Sequence, residues 1–341
     1  MTPAVAQPDS APSPPPSSTP ATPPSSSAPP PAGTRKIQYT LRPIYHVPRA
    51  LWWPTLLLSV VLAGVFYWTI GRMWERWNNS HGYYSHGPLV LPIAVAIAWL
   101  IIRKRGLPLQ STPSSRRAGL ALLLGSLAIH LLSMYPRVTF LSGFMIPPAI
   151  AGCMLYLGGW PMLRRLWFPV AFLAFMVPLP DVTISDINFR LKIFAAHAAT
   201  SIVDASGVAA YVRGSDIFTE GGTRLTVEDA CSGLRSLISL LAFATLFTYI
   251  CKLRGYKRLL LFLSAIPVAV AANIVRIVVL TLVAHGYGVK LATPGGWVHD
   301  SMGFAVFIIA FCFMFLLEEL LDLLPGAHSA PSLLFNSPAP K

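Results

Sequence analysis

Cys231 stands in the run Val227-Glu228-Asp229-Ala230-Cys231-Ser232-Gly233-Leu234-Arg235-Ser236-Leu237, immediately before a long apolar segment. A thiol beside two acids, an arginine and a glycine is poorly explained as packing. The thiolate is the reactive form of cysteine, and a nearby cation or helix N-terminus lowers its pKa. The apolar segment that follows supplies such a terminus, whose free N–H groups favour an anion and can hold an oxyanion. Gly233 lets a substrate come close to the backbone. Two more polar residues stand where an apolar phase disfavours them: Arg276 inside a later apolar segment, and His299 at the mouth of the next. Cys, His and Arg together can make an acyl-transfer site. In it Cys231 is the nucleophile, His299 the general base and acid near neutral pH, and Arg276 a permanently charged stabiliser of the oxyanion.

Each of these residues has a plainer competing role. Cys231 can be a buried structural thiol, His299 an interfacial aromatic residue, and Arg276 one half of a structural ion pair with Asp229 or Glu228. A charge within the hydrocarbon costs at least about 2.5 kcal/mol on insertion scales, so such a residue faces the bundle interior and has a partner. Asn273, one turn before Arg276, shares its face. Arg235, one turn after Cys231, is expected to brace the loop by pairing with Glu228 or Asp229. Asp300 is read first as a helix cap acting through residues 302–303, and second as a group that orients His299. His86, in Tyr83-Tyr84-Ser85-His86-Gly87-Pro88, is a second histidine at a helix entrance, able to line a substrate groove or to replace His299 as the base.

The elements that must position these groups are membrane helices. The chain has 341 residues, 54% hydrophobic and 11% charged, where a soluble domain carries about 25% charged residues. Eight apolar segments are read at about 52–70, 88–102, 118–135, 141–159, 166–180, 233–250, 259–284 and 302–324, most near the roughly 18-residue length that marks a span. The expected fold class is therefore an all-α polytopic membrane protein. Residues 1–49 form a Pro/Ser/Ala-rich tail that cannot bury enough apolar surface to fold, residues 50–325 the membrane domain, and residues 326–341 a short C-terminal tail. The net charge of +13 fits an excess of Lys and Arg in cytoplasmic loops. With the N-terminal tail inside, sixteen of the 26 Lys and Arg fall inside and eight outside, and both termini are cytoplasmic. Cys231 and His299 then face outward, and Arg276, about eight residues before the outer end of its helix, lies roughly 12 Å below that end.

Between the fifth and sixth segments, residues 183–203 have the spacing of an interfacial amphipathic helix. Val208 to Val212 and Thr223 to Val227 are strand-like and flank Gly221-Gly222, so a short β-hairpin is expected to lead into Cys231. Cys153 and Cys312 lie in apolar segments, where cysteine packs as a small hydrophobe, and Cys251 lies at a helix end. The four cysteines are too dispersed for a disulfide framework. No spacing suggests zinc, no cofactor is expected, and the scattered basic residues argue against nucleic acid. Trp52, Trp53, Trp74, Trp77 and Trp297 read as interfacial belts.

The chain resembles the exosortase/archaeosortase family of membrane cysteine transpeptidases over about residues 50–325. The run Glu228 to Leu237 resembles its cysteine block, Asn273-Ile274-Val275-Arg276 its Asn-x-x-Arg block, and His299 its histidine block. Tyr84 to Val90 is similar to the family's segment before its second helix. The resemblance implies a protease that cuts C-terminal sorting signals: a short motif, often Pro-Glu-Pro, then a membrane helix and basic residues. It implies Cys231 as the thioester-forming nucleophile, His299 as acid/base and Arg276 as transition-state stabiliser. The expected partners are the inner-membrane bilayer and substrates bearing that signal. The competing class is a transporter or exopolysaccharide-export component, which would show repeated halves and helices broken at mid-membrane. No clear repeat is present and Pro267 alone is a weak break. Metal-dependent intramembrane proteases want HExxH, which is absent, and serine types want a Gly-x-Ser for which no good match is found.

Overall fold

The computed structural model describes residues 49–79, 82–135, 138–220, 222–227, 233–293 and 295–324. All of them belong to one compact unit, Arg42–Lys341. The expected tails, Glu228, Asp229 and Cys231 lie outside the described residues.

Apolar composition makes most of the chain helical, because a backbone leaving water must pair its own N–H and C=O groups. The first helix, α1 (Arg49–Val65), does not run on to residue 70 as expected. The chain bends by 72° between it and α2, Tyr67–Trp77. In α2 the apolar Ile70, Met73, Trp74 and Trp77 fall on one side and Arg72 and Arg76 on the other. Such a helix lies along an interface more readily than it crosses one. Then follow α3 (Gly87–Arg105) and α4 (Pro113–Met134). Thr112 starts α4 by accepting a hydrogen bond from Ser115 N at 3.2 Å, while Ser115 Oγ accepts one from Thr112 N at 2.9 Å. This reciprocal pair satisfies two donors that a helix start leaves open.

After the short α5 (Thr139–Phe144), α6 (Ile146–Phe172) and a 3-10 turn (Leu173–Met176) make one long helical run. That run folds back on itself. Gly159 has φ +73°, and a Cβ there would meet the Gln110 carbonyl, so glycine is required at the reversal. Gly143 and Val177, at the two ends, touch: a Cβ on Gly143 would lie 2.6 Å from Val177 Cγ1. The fourth and fifth expected segments are thus the arms of one hairpin. The first arm packs tightly on α4. A Cβ on Gly119 would lie 2.5 Å from Tyr156 N, and one on Gly152 2.8 Å from Leu123 N, the close approach that small residues permit between membrane helices.

The long α7 (Asp181–Ala205) matches the expected amphipathic helix. The hairpin expected after it is a three-stranded antiparallel sheet: β1 Ala210–Arg213, β2 Asp216–Thr219 and β3 Thr223–Thr226, in that order. The unforeseen strand is β2. It pairs Arg213 with Asp216 across a two-residue turn, where Gly214 takes φ +64°. Tyr211 stacks on its cross-strand partner Phe218 with ring centres 5.0 Å apart. Arg224 pairs with Asp216 at 2.6 Å. A hydrogen bond from the Thr226 hydroxyl, then the Arg224 guanidinium, hold the Asp216 carboxyl below its usual range.

The chain closes with α8 (Leu234–Ile250), α9 (Tyr256–Tyr287), the single turn α10 (Val289–Ala292) and α11 (Trp297–Leu323). Among the described residues, five helices are long and apolar enough to cross a membrane, or six if α1 and α2 form one bent span. At 17 residues α8 is shorter, and the two arms at Gly159 count as one run. The expected number of eight is therefore approximate, while the polytopic all-α class holds.

Candidate active site

One cluster of buried apolar residues builds the site. Ile217, Leu225 and Val227 of the sheet segment pack with Ala195, Ala196 and Ala199 of α7, Ile277 and Leu280 of α9, and Val298 of α11. Val298 and Ile277 are the neighbours of His299 and Arg276, so burying them fixes where those side chains start. The sheet and α7 therefore seat the ends of α9 and α11 against each other.

The result is a contact between the two residues singled out in the sequence. Arg276 Nη2 lies 3.2 Å from His299 Nε2 and 3.4 Å from the His299 carbonyl oxygen. His299 is 6% exposed. Its other ring nitrogen, Nδ1, lies 3.1 Å from Asp300 Oδ1. A guanidinium can only donate and a carboxylate can only accept. In this arrangement Nδ1 donates to Asp300 and Nε2 accepts from Arg276. The expected capping role of Asp300 is corrected here. The helix starts at Trp297, after Gly296, which puts Asp300 inside the first turn and its carboxylate on the imidazole.

Asn273 is 2% exposed and meets Gly233. With φ +85°, Gly233 turns the chain into α8, and a Cβ there would lie 2.8 Å from Asn273 Nδ2. The glycine thus admits Asn273, where a substrate's approach was expected. Leu191 and Ala195 of α7 close this contact from the other side. Arg235 sits half-buried in the first turn of α8. Its expected partners Glu228 and Asp229, like Cys231 itself, lie outside the described residues.

His86 is not brought to the Arg276–His299 pair. It precedes α3, and its Nδ1 is 3.1 Å from Ser239 Oγ on α8, with the Tyr84 ring 6.0 Å away. Ser239 is a polar partner that the sequence did not signal, because a serine in an apolar helix is unremarkable without its neighbour. Around His86, the Tyr84 hydroxyl accepts from Leu179 N at 2.9 Å. Trp77 Nε1 donates to the Met176 carbonyl at 2.9 Å, so Trp77 is a strut of this end of the bundle, while Trp53, Trp74 and Trp297 stay exposed. Of the remaining cysteines, Cys153 and Cys251 are buried and Cys312 is exposed on α11. Burial pushes the Cys251 thiol up, and it donates to the Thr248 carbonyl at 3.2 Å.

A bundle of membrane helices with a buried histidine held between an arginine and a carboxylate defines a class: polytopic membrane proteins with a polar site at one end of the bundle. Within that class the chain belongs to the transmembrane exosortase family, which matches residues 74–316. The match includes His86, Glu228, Cys231, Arg235, Asn273, Arg276 and His299. Family membership supports a membrane transpeptidase of the exosortase type. No curated protein and no solved structure matches the chain.

Proposed function

We propose that this protein is a membrane cysteine protease or transpeptidase that cuts C-terminal sorting signals, a Pro-Glu-Pro-type motif followed by a membrane helix, at the outer face of the cytoplasmic membrane. The observation that carries the reading is the Arg276–His299 contact at 3.2 Å, together with two further contacts made by Val227 and Gly233. Val227 packs with Ile277 and Val298, and Gly233 packs on Asn273.

The chemistry then runs in balanced steps. His299 Nε2 takes the Cys231 proton once Arg276 has turned from the ring toward the substrate oxygen. The thiolate attacks the scissile carbonyl carbon, and the electron pair of the C=O bond becomes an oxyanion held by Arg276 and by N–H groups at the start of α8. The oxyanion collapses, the C–N bond breaks, and imidazolium gives its proton to the leaving amine, leaving a thioester. An acceptor amine or water attacks the thioester, loses its proton to His299, and expels the Cys231 thiolate. Asp300 keeps the Nδ1 proton in place throughout, so that Nε2 is always the nitrogen that exchanges. Burial of the site shields the thioester from unwanted water.

The test is processing of a tagged substrate carrying such a signal, in membranes holding the wild type, Cys231→Ala or Cys231→Ser at equal enzyme levels. Loss of cleavage in both variants is expected. Normal cleavage by Cys231→Ala would sink the reading and move the transporter or polysaccharide-export alternative forward.

A further inference from the structure

A second polar cluster lies where α2 passes the ends of α4 and α5, separate from the Arg276–His299 pair. Its centre is His130 of α4, 1% exposed. His130 Nε2 is 3.1 Å from the carbonyl of Val65, the last residue of α1 before the bend. Its Nδ1 is 2.7 Å from Ser142 Oγ, and Ser142 Oγ is bonded in turn to Thr69 Oγ1 of α2. Ser133 Oγ is 2.7 Å from the His130 carbonyl. Thr69, Ser133 and Ser142 are each at most 4% exposed.

The protons in this cluster can be assigned by elimination. A carbonyl only accepts, so Nε2 carries the hydrogen. A neutral imidazole has one N–H, so Nδ1 accepts and Ser142 donates to it. Ser142 has no second proton, so Thr69 donates to Ser142. Ser133 donates to the carbonyl of His130. All three hydroxyl protons are therefore spent inward, and what remains on these oxygens is lone pairs alone.

Those three hydroxyls line a cavity of about 300 Å³, together with Trp68, Arg72 and Thr139. That size is at the lower end of small-ligand sites and several times what one water occupies. Arg72 has no ion-pair partner among the described residues and is exposed. The cavity therefore offers a cation at its rim and, on Thr69, Ser133 and Ser142, three oxygens that can only accept. A complementary ligand carries an anion next to a group rich in N–H donors. Trp68 and Trp74 of the amphipathic α2 are 66% and 56% exposed, and such tryptophans sit at the headgroup level of a bilayer.

We propose that this cavity binds the phosphoethanolamine headgroup of a membrane phospholipid. The phosphate lies on Arg72, and the ammonium donates to the oxygens of Thr69, Ser133 and Ser142. Phosphocholine has the same phosphate but no N–H donor to satisfy these three oxygens, and is disfavoured. The bound headgroup would brace the bend between α1 and α2, since Val65 and Thr69 are tied to the cluster from both sides of it.

The test is lipid retention by the purified full chain, in nanodiscs of dioleoylphosphatidylcholine with a minor share of dioleoylphosphatidylethanolamine or dioleoylphosphatidylglycerol, read by native mass spectrometry. The expected result is at least about tenfold enrichment of the ethanolamine lipid over both others. Arg72→Gln and Thr69→Val should each reduce it by about tenfold. Arg72 is exposed, so its variant keeps the fold, and thermal unfolding in pure phosphatidylcholine nanodiscs checks both. Soluble glycerophosphoethanolamine should displace the bound lipid, which separates headgroup recognition from acyl-chain packing. Equal retention of the choline lipid, preference for the glycerol lipid, failure of the soluble headgroup to compete, or full enrichment in Arg72→Gln would overturn the proposal. The readout uses no cleavage, so it stands or falls apart from the peptidase reading.

Discussion

At the scale of single residues, His299 is the informative group. An imidazole between a guanidinium and a carboxylate has both nitrogens assigned, with Nδ1 held by Asp300 at 3.1 Å and Nε2 faced by Arg276 at 3.2 Å. Asp300 is a positioning residue in this arrangement, acting through the ring. Asp300→Ala should lower kcat by about ten- to a hundredfold, a part of what general acid–base catalysis supplies, with little change in KM. Asp300→Glu should recover part of the loss. A residue that only stabilised the first turn of α11 would lower the melting temperature and leave kcat intact, so kinetics and unfolding measured together decide between the two roles. His299 and Arg276 were legible in the sequence because polar groups in apolar surroundings cost free energy and need a reason. Asp300 was legible only as a choice between two roles, because capping depends on where the helix begins. The structure starts α11 at Trp297, and that start decides for the imidazole.

At the scale of elements, the joint between the cysteine loop and α8 is the critical one. Gly233 is left-handed and touches Asn273. Any other L-residue costs roughly 1–2 kcal/mol in that conformation, and a Cβ pushes Asn273 and its helix away. Gly233→Ala should therefore cut cleavage sharply by shifting the start of α8 against α9, while leaving membrane levels near normal. Asn273→Ala, which removes the obstructing amide, should restore part of the activity in the double variant. Additive losses in the two single variants would show that the contact does not couple the loops. Helices were legible from apolar length alone, and α7 from its spacing. The bend at Phe66 was not, because hydropathy is blind to direction: α2 continues the apolar run of α1 in composition and leaves it by 72°. The strand β2 was missed for a similar reason. Asp216-Ile217-Phe218-Thr219 is too short to show an alternation by itself, and it is made a strand by the partners on both of its edges.

At the scale of the whole molecule, the contacts put the sheet, the start of α8 and the start of α11 at one end of the bundle. The opposite end carries Arg105 and Arg165, where Arg165 Nη1 donates to the Gly106 carbonyl at 2.8 Å. Which end faces outward follows from the distribution of Lys and Arg, an argument about insertion and not about packing. It predicts that a fluorescent protein fused after Lys341 glows, and that alkaline phosphatase inserted after Gly207 is active. The reverse pair of results would place the site on the cytoplasmic face and exclude exported substrates.

By itself the sequence determined what must leave water and what cannot do so cheaply. It settled the membrane class, the family and the three residue types whose chemistry needs explaining, because transfer free energies are properties of composition and local order. Tertiary structure alone decided which of those residues touch. Arg276 and His299 are 23 positions apart on different helices, and their contact follows from the sheet and α7 burying Ile277 and Val298 in one cluster. His86, the second histidine at a helix entrance, meets Ser239 of α8 through Nδ1, while His299 is the one that meets Arg276. Depth in a bilayer can be counted along a chain, but the azimuth of a helix depends on all the faces packed around it.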